Sequence, residues 1–395
     1  MKKLFCFLVG ISFLVSCGSR QPQIDKVIED GVEVVLNHLE PYTLIGERDN
    51  LNLEKLFTVD FERDEFAKIG IPRIGGFNVD SEGNIYVWSW PGSEYFIFKF
   101  DKSGEYVNSF GRKGQGPGEI EMLVYLRVNA KDEVIVFDDT RKKIIIFDNE
   151  GSLIGEIQLE RHILYATPLA NGKILALYER FNPEEGIADL PVVLMASGSE
   201  QDRILHSGER IPNWFRAQKI NAITTAQSYS QWSITDKHIF IGNKVSGYQF
   251  LVYDFNGMLV KKIRKEYRPV PVPEEIKKSL LKVFNRSDRE RTQVLPKVFF
   301  PDAMFPIQYF FTDDHERLYV MTFEKGDGPR AFMYDIFNSE GFFIGRVSLD
   351  NSGNESNEIW GGPFDVRARN DNLYCMRAKD SGYQELTVYK MEWTK

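Results

Sequence analysis

The sequence predicts an all-β protein, a six-bladed β-propeller that is closed by an N-terminal strand and carries one helical insertion. Three observations lead to this prediction. Residues 76–119 contain four short runs of alternating apolar residues separated by turn residues, the pattern of a four-stranded antiparallel sheet. This pattern recurs along the chain, and its last copy lacks one strand. Because so small a sheet cannot bury both faces alone, the repeats indicate a radial arrangement.

The repeats become visible when the second strand of each unit is aligned. Six apolar segments then match, and each follows a turn rich in Asp, Asn, Gly, Lys or Glu: residues 85–87, 134–136, 174–176, 239–241, 318–320 and 373–375. Six third strands align as well: residues 96–104, 144–151, 192–199, 250–257, 333–341 and 386–391. Six matched pairs predict six blades and disfavour the alternatives of five or seven.

The sixth unit has no residues after its third strand that could form an outer strand. An N-terminal strand is therefore expected to complete this blade, since closure removes the exposed sheet edges that invite aggregation. Two segments have the alternating pattern required, residues 55–61 and residues 31–36. The sequence does not choose between them.

Residues 271–293 interrupt the strand pattern between the fourth and fifth units. Pro273 and two glutamates suit the start of a helix, and Ile276, Leu280, Leu281 and Phe284 fall on one helical face. We therefore predict a helical insertion, which either covers one rim of the propeller or packs on its side without a functional role.

The N-terminus has the features of a bacterial lipoprotein leader. Lys2 and Lys3 precede an apolar stretch too short to span a bilayer, and the stretch ends in Leu-Val-Ser-Cys at Cys17. We predict a signal peptide at residues 1–16, lipidation of Cys17, a membrane tether at 17–30 and the propeller at 31–395. The alternative is an ordinary signal peptide with an incidental cysteine.

Composition excludes several classes of protein. The chain has 395 residues, a net charge of −8 and only three cysteines. A net-acidic exported protein is a poor nucleic-acid binder. Cys375 occupies a position that is apolar in the other repeats, which indicates a buried residue rather than a nucleophile. We expect no disulfide within the mature chain and no cofactor.

The motifs resemble those of NHL-type six-bladed propellers, and specifically the exported TolB-like propeller lipoproteins of Gram-negative bacteria. The residues that carry the resemblance are the lipobox at Cys17, the run at 80–87, the turn at 100–104 and the Gly-rich loop at 111–119. The resemblance covers nearly the whole mature chain and is clearest in the first two blades. It implies the fold but no fixed activity, because this superfamily contains binding modules, scaffolds, lyases and hydrolases.

The candidate ligand site lies on the face formed by the b–c and d–a loops, where strands a to d run from the centre of each blade outward. Aromatic residues mixed with both signs of charge can recognise a peptide or a glycan. The candidates are Arg112, Lys113, Gln115, Glu119, Trp88, Trp90, Asp138, Asp139, Arg180 and Arg377. The alternative interpretation is that the glycines permit tight turns and the charged residues solvate the rim.

The sequence gives little support for catalysis or for a metal. The five histidines form no dense ligand motif, and no nucleophile elbow is present. The Asp-rich turns at 139–143, 254–257 and 313–316 lack the ligand spacing of an EF-hand. Aspartate is also common in turns because it binds backbone N–H groups. We expect no metal site.

These observations favour a monomeric, non-catalytic binding module that is held to the membrane by lipid on Cys17 and binds a protein, peptide or glycan. Two alternatives stay open: a lyase or hydrolase that uses channel carboxylates and an unrecognised metal, and a scaffold in an outer-membrane assembly. Gly18 follows Cys17, and Ser19-Arg20-Gln21 is not acidic. The expected location is therefore the periplasmic leaflet of the outer membrane.

Overall fold

The computed structural model describes residues 25–395 except 45, 72–73, 90–93, 160–162, 183, 185–186, 196–201, 209, 213–218, 224–230, 287–296, 329–330 and 351–365. The predicted signal peptide of residues 1–16, Cys17, residues 18–24 of the predicted tether and Trp90 lie outside the described residues. In the part of the chain that is described, no helix is long and apolar enough to cross a membrane.

The N-terminal segment forms three strands and a short helix before the first blade. They are β1 (Asp25–Glu29), β2 (Val32–Asn37), β3 (Asn50–Asp60) and α1 (Asp64–Lys68). The predicted tether of residues 17–30 extends too far, because residues 25–29 form β1 and pair antiparallel with β2. The apolar Val27 of β1 lies opposite Val34 of β2. The two side chains form a cross-strand pair, although most residues around Val27 are polar.

The chain then builds six blades, each with four strands that we name a to d in chain order. The strands of the first two blades are β4 (Ile74–Val79), β5 (Ile85–Ser89), β6 (Tyr95–Phe100), β7 (Tyr106–Arg112), β8 (Leu123–Val128), β9 (Val134–Asp138), β10 (Lys143–Phe147) and β11 (Leu153–Gln158). Both sheets are antiparallel throughout.

The third blade is interrupted by a small satellite sheet. Its segment contains β12 (Ile163–Pro168), β13 (Ile174–Tyr178), β14 (Arg180–Asn182), β15 (Ile187–Asp189), β16 (Val192–Met195), β17 (Arg203–His206) and β18 (Arg210–Pro212). The strands β12, β13, β16 and β17 form the blade, and β14, β15 and β18 form the satellite sheet. Residues 192–195 of the predicted third strand at 192–199 therefore form a c strand, and residues 196–199 lie outside the described part.

The second half of the chain completes the ring. It contains β19 (Lys219–Asn221), β20 (Trp232–Ile234), β21 (His238–Gly242), β22 (Gln249–Asp254), β23 (Leu259–Lys265), α2 (Glu274–Arg286), β24 (Lys297–Phe299), β25 (Tyr309–Thr312), β26 (Leu318–Lys325), β27 (Ala331–Phe337), β28 (Phe343–Asp350), β29 (Val366–Arg369), β30 (Asn372–Ala378) and β31 (Gln384–Thr394). Blade 4 begins at β20, blade 5 at β25 and blade 6 at β29. All six predicted second strands are b strands, and the prediction of a six-bladed propeller is confirmed.

The a strands of neighbouring blades contact one another around a central channel, as β4 contacts β8 and β25 contacts β29. The core consists of apolar clusters between successive blades. Between blades 2 and 3, for example, Phe137 and Ile144 pack with Ala166 and Ala176. Cys375 belongs to the cluster between blades 5 and 6 and is 3% exposed, as its repeat position predicts.

An N-terminal strand closes the ring. β3 pairs antiparallel with β31 from Asn50 opposite Thr394 to Asp60 opposite Glu385, and so forms the d strand of blade 6. Of the two predicted candidates, residues 55–61 are therefore the closing segment. Residues 31–36 instead form β2, which pairs parallel with β23 and adds a fifth strand to blade 4.

The closing strand offers a matched test of its burial. Val59 is 2% exposed and packs in the cluster between blades 6 and 1, whereas Leu56 on the same strand is 47% exposed. We expect Val59→Asp to lower the free energy of unfolding by several kcal/mol because it buries an unpaired charge. Leu56→Asp should change it by about 0.5 kcal/mol or less. Urea denaturation measures both, and equal losses would contradict the assignment of β3 as the closing strand.

The predicted helical insertion is confirmed as α2, and residues 287–293 of the predicted range lie outside the described part. Leu280 is fully buried, and packs in a cluster with Val272, Met304 and Phe323. α2 belongs to the long d–a connection from β23 to β25. It therefore lies on the side of the ring where d–a connections run.

The turns define the two faces of the propeller. The turn face carries a–b turns such as residues 80–84 and c–d turns such as 101–105. The loop face carries b–c and d–a connections such as residues 112–122. In the turns, one side-chain oxygen accepts backbone N–H bonds from residues two and four positions later, as Asp80, Asp254 and Asp313 do. The Asp-rich turns at 254–257 and 313–316, considered above for calcium, thus use an aspartate to form the turn itself.

Candidate functional site

A cavity of about 380 Å³ occupies the central channel and is lined by the a strands of all six blades. Cavities of this size hold small ligands or the end of a longer chain. Because the a strands run from the loop face to the turn face, residues early in these strands lie near the loop face. Residues at their ends lie near the turn face. This direction separates two chemically different ends of the channel.

The end near the loop face is aromatic. Tyr125, Tyr165, Trp232 and Tyr309 come from early positions in the a strands of four blades, and Trp88 from the end of a b strand. The rings of Tyr125 and Tyr165 meet edge to face with centroids 6.2 Å apart. Such rings offer flat surfaces on which a sugar or another ring can stack.

Trp88 is held in place by a glycine. A Cβ atom added to Gly75 would lie 2.1 Å from the Trp88 indole, so only glycine at this position leaves room for the ring. The sequence-predicted candidate Trp88 is thus 8% exposed and lines the channel cavity.

The end near the turn face is charged. The lining residues here are Arg127, Asp236, Lys237, Asp314, Glu316, Arg367 and Arg369. Two of the arginines have fixed partners. Arg367 Nη1 donates to Tyr309 Oη at 2.6 Å, and Arg369 Nη1 donates to Asp314 Oδ1 at 2.8 Å. These two guanidinium groups are therefore oriented by the fold.

Arg127 differs from both. Its one hydrogen bond within the described residues is a long contact of 3.4 Å from Nη2 to the carbonyl oxygen of Ile234, and no described carboxylate forms an ion pair with it. Burial lowers the pKa of Arg127. The nearby Tyr125 and Asp236 partly oppose this effect, and the positive charge of Arg369 adds to it. A guanidinium has five N–H donors and stays protonated in proteins, so Arg127 presents unused donors and a positive charge without a direct ion pair to the cavity.

Glu316 illustrates how carboxylates near this end are neutralised. Burial raises its pKa, but hydrogen bonds from Thr235 and His238 outweigh this effect, and the net pKa is lowered. His238 Nδ1 lies 2.9 Å from Glu316 Oε1. Both partners of Glu316 come from blade 4, so this carboxylate joins two blades.

Asp313 shows the opposite behaviour. Burial raises its pKa. The backbone N–H and the charge of Arg317, and the hydrogen bond from the Tyr319 hydroxyl, lower the pKa but do not outweigh burial. An acid whose pKa is higher in the folded state stabilises the protein at low pH and loses this contribution as the pH rises through the folded pKa.

Asp313→Asn is therefore expected to raise the free energy of unfolding at pH 7 and to have less effect below pH about 4, where the acid is protonated in both states. Asn129 forms the equivalent turn of blade 2 with its Oδ1, so the amide fits the position. Thermal unfolding of both proteins as a function of pH measures the difference. A destabilisation at pH 7 that persists at low pH would contradict this account.

The predicted loop at 111–119 is held together by its own side chain. Glu119 Oε2 accepts the Gly116 N–H at 2.8 Å, and a Cβ atom on Gly114 would lie 2.0 Å from that oxygen. Gly111 has φ 67°, which favours glycine. Arg112 points outward and lies 3.5 Å from Glu94. Lys113 and Gln115 are exposed or partly exposed within the same loop.

The other predicted candidates lie on different blades. Asp138 is fully buried, and accepts the N–H groups of Glu121 and Met122, which fixes the end of the same loop. Asp139 pairs with Lys142. Arg180 binds Asp189 in the satellite sheet, and Arg377 donates to Tyr389 Oη within blade 6. The structure brings Asp138 to the 111–119 loop but does not gather these residues into one pocket.

A second, smaller cavity of about 60 Å³ lies at the loop face between blades 4 and 5. Its wall holds a buried ion network. Asp335 is 1% exposed and accepts from Tyr248 Oη at 2.9 Å and from Arg346 Nε at 2.7 Å, with Lys265 Nζ at 3.4 Å. Burial, followed by the charge of Asp335, raises the pKa of Tyr248 well above its ordinary value. Here both signs of charge are matched within the protein.

Metal ligands are not clustered in the described ranges. Among these residues, no three His, Cys, Asp or Glu side chains are arranged to hold a metal ion. His315 lies 3.1 Å from Asp371, and His38 the same distance from Asp25, each in an exposed pair.

The residues missed at the sequence level are Arg127, Arg367 and Arg369. The sequence signal for them is an arginine that alternates with buried apolar residues in an a strand. Leu126 and Val128 flank Arg127, and Ala368 lies between Arg367 and Arg369. In a propeller the face of an a strand that does not enter the core borders the channel. An arginine there points into a confined space rather than into open solvent.

Comparison with known proteins supports the class of fold. A family model, DUF5128, described as a 6-bladed beta-propeller, matches residues 45–185. No curated protein matches the chain.

Solved structures are similar at low sequence identity. A candidate exported protein from Bacteroides fragilis has a TM-score of 0.50 and 13% identity over 92% of this chain and 100% of its own. A member of the duf4221 family from Bacteroides vulgatus has a TM-score of 0.46 and 10% identity over 88% of this chain and 100% of its own. A gluconolactonase from Xanthomonas campestris has a TM-score of 0.42 and 8% identity over 87% of this chain and 99% of its own. The first of these likenesses supports the fold and nothing further.

Proposed function

We propose that this protein is an exported, lipid-anchored propeller that binds an acidic ligand in its central channel. The observation that carries the proposal is Arg127, a channel-lining guanidinium without an ion-pair partner among the described residues. Arg127 is half-buried, charges that lose water are normally paired in proteins, and an anionic ligand would supply the missing partner. Kinship with TolB-like or NHL-type propellers is part of the same proposal.

The ligand class follows from the two ends of the channel. A carboxylate next to Arg127 would receive charge-assisted hydrogen bonds, and a ring placed two residues earlier along the strand would meet Tyr125. A carboxylate-bearing sugar, free or at the end of a glycan, combines both features. This proposal moves the ligand from the loop face to the channel, because Glu119 and Asp138 serve the fold.

A titration with matched probes tests this binding. Each acidic sugar of a uronic-acid panel is compared with its methyl ester by isothermal titration calorimetry. We expect the acid to bind about 10- to 150-fold more tightly than the ester, since a hydrogen bond to a charged group contributes about 1.5–3 kcal/mol. Arg127→Met should abolish this preference, and Arg112→Met should leave it unchanged. A panel without any acid-selective member would count against the proposal, and consumption of a bound probe would favour an enzyme.

The anchor is the second part of the proposal and is supported by the leader pattern that ends at Cys17. We place the protein in the periplasmic leaflet of the outer membrane, as a monomer without a nucleic-acid partner. Cys17→Ala is expected to move the protein from the membrane fraction to the soluble fraction, and mass spectrometry of the wild-type N-terminus should find acyl chains. Retention of the variant in membranes would refute the lipid anchor.

A further inference from the structure

The strand order of blade 4 determines the face from which the chain departs toward Cys17. β23 is a d strand and runs from the turn face to the loop face. β2 is parallel to β23, and β1 is antiparallel to β2, so β1 begins at the loop face. A contact confirms this direction: Asp25 Oδ2 lies 3.1 Å from His38 Nε2, and His38 Nδ1 lies 3.6 Å from Glu266 in the d–a connection.

The chain between the anchor and the fold is short. Eight Cα steps separate Cys17 from Asp25, and eight residues of chain span at most about 29 Å when fully extended. If Cys17 carries lipid, as proposed above, Asp25 can lie no farther than this from the membrane surface. The loop face next to blade 4, where β1 begins, is then the part of the propeller from which the tether runs to the membrane.

The same part of the loop face carries an unusual surface, which we call the α2 surface. It consists of exposed basic and apolar residues from α2 and its flanking segments: Tyr267, Arg268, Lys278, Leu281, Lys282, Lys297 and Phe299. The three apolar residues are each more than a third exposed: Tyr267 is 39%, Leu281 36% and Phe299 37% exposed. Four of the seven residues are basic, and the neighbouring exposed glutamates include Glu40, which lies 3.7 Å from Arg268, and Glu275.

The helix geometry explains why these side chains point outward. Leu280 is fully buried and fixes one side of α2 on the propeller. Lys278 and Lys282 are four residues apart and share the opposite, exposed side. Of the two glutamates in the first turn, Glu274 is paired with Lys277 at 2.6 Å. The exposed side of α2 therefore carries Lys278 and Lys282 beside Leu281, together with the exposed Glu275.

We propose that the α2 surface lies on the anionic phospholipid headgroups of the membrane that holds the lipid on Cys17. Basic side chains are attracted to anionic headgroups, and exposed aromatic and leucine side chains enter the boundary between headgroups and acyl chains. The turn face, with the Arg127 end of the channel, then points away from the membrane. A protein partner on the α2 surface is the competing possibility, and the test separates the two.

The test uses the lipidated full-length protein in vesicles of phosphatidylethanolamine and phosphatidylglycerol that contain brominated lipid. A fluorophore is attached at Leu281→Cys on α2 or, in a matched control, at Lys131→Cys in an a–b turn. Cys375 is buried and should not react. We expect bromolipid to quench the label at position 281 and not the label at position 131. Equal quenching at both positions, or quenching only at 131, would overturn the proposed orientation.

Charge dependence provides the second readout. With the label at position 281, Lys278→Gln/Lys282→Gln and a change to neutral phosphatidylcholine should each cause a loss of quenching. Lys102→Gln/Lys131→Gln on the turn face should cause none. Quenching that is independent of headgroup charge would refute headgroup recognition. If the label at position 281 stays unquenched in lipid vesicles but is shielded in native membranes, the α2 surface binds a protein partner instead of lipid.

Membrane fractionation of the same samples separates this proposal from the anchor. Recovery of the protein in the soluble fraction would refute the anchor, and with it the orientation that rests on the anchor. A membrane-bound protein with an unquenched α2 label would refute only the docking of the α2 surface. The uronic-acid titration does not depend on either result.

Discussion

Arg127→Met is expected to make the unliganded protein more stable, by about 1–4 kcal/mol, while it removes acidic-ligand binding. The guanidinium is half-buried in the channel wall, where burial lowers its pKa, and within the described residues its only hydrogen bond is the 3.4 Å contact with Ile234. Methionine replaces the apolar stem of arginine, fills irregular space and requires no counter-ion. Native retention of a destabilising arginine is understandable if the ligand supplies the missing negative charge.

Urea denaturation of the unliganded proteins measures the first part of this prediction. Arg112→Met is the matched control, because Arg112 is exposed in a surface pair with Glu94 and its loss should change stability by about 0.5 kcal/mol or less. An acidic ligand should raise the unfolding temperature of the wild type and leave that of Arg127→Met unchanged. A variant less stable than the wild type would show that Arg127 is a structural residue.

Asp335→Asn is expected to lower the free energy of unfolding by about 3–5 kcal/mol. The substitution leaves Lys265, whose side chain is 6% exposed, without its buried counter-ion. Burial already lowers the pKa of Lys265, with the charge of Asp335 opposing the effect. Without Asp335, the buried ammonium must either remain unpaired or lose its proton, and both cost stability.

Glu324→Gln is the control for Asp335→Asn. Glu324 binds Arg346 at 2.9 Å, but its side chain is 38% exposed, so its loss should cost about 1 kcal/mol or less. The double variant Asp335→Leu/Lys265→Met should recover most of the lost stability, since it removes both charges of the pair. Equal effects of Asp335→Asn and Glu324→Gln in urea denaturation would contradict a buried network.

The blades could be predicted from sequence because their signals are local. Alternating apolar residues, and a turn residue that binds its own backbone, recur at equivalent places, as at Asp80 and Asp313. The interactions that determine which strand closes the ring are not local. β2 and β3 have similar patterns, but Asn37 at the end of β2 binds the carbonyl oxygens of Arg264 in blade 4 and Gly341 in blade 5. Such tertiary contacts leave no trace in strand periodicity.

The candidate site was harder to predict for a related physical reason. Glycine-rich loops with charged residues resemble binding loops, yet in this loop Glu119 satisfies the backbone of Gly116. Arg127 is a single residue inside an ordinary strand. Its importance arises because the a strands of six blades together enclose the channel that its side chain lines. Among the predicted residues that the structure describes, only Trp88 belongs to the cavity wall.

The seam of blade 6 has a consequence for the order of folding. It joins the early strand β3 to the last strand β31, as in the bond from Asn52 to Thr394 across 342 positions. Contacts so distant in sequence pay a large entropy of loop closure and form slowly. A chain that emerges N-terminus first must therefore keep β3 unpaired until β31 has appeared. During that interval β3 lacks its partner strand, and completion of the ring becomes the step at which misassembly or capture by a chaperone competes with folding.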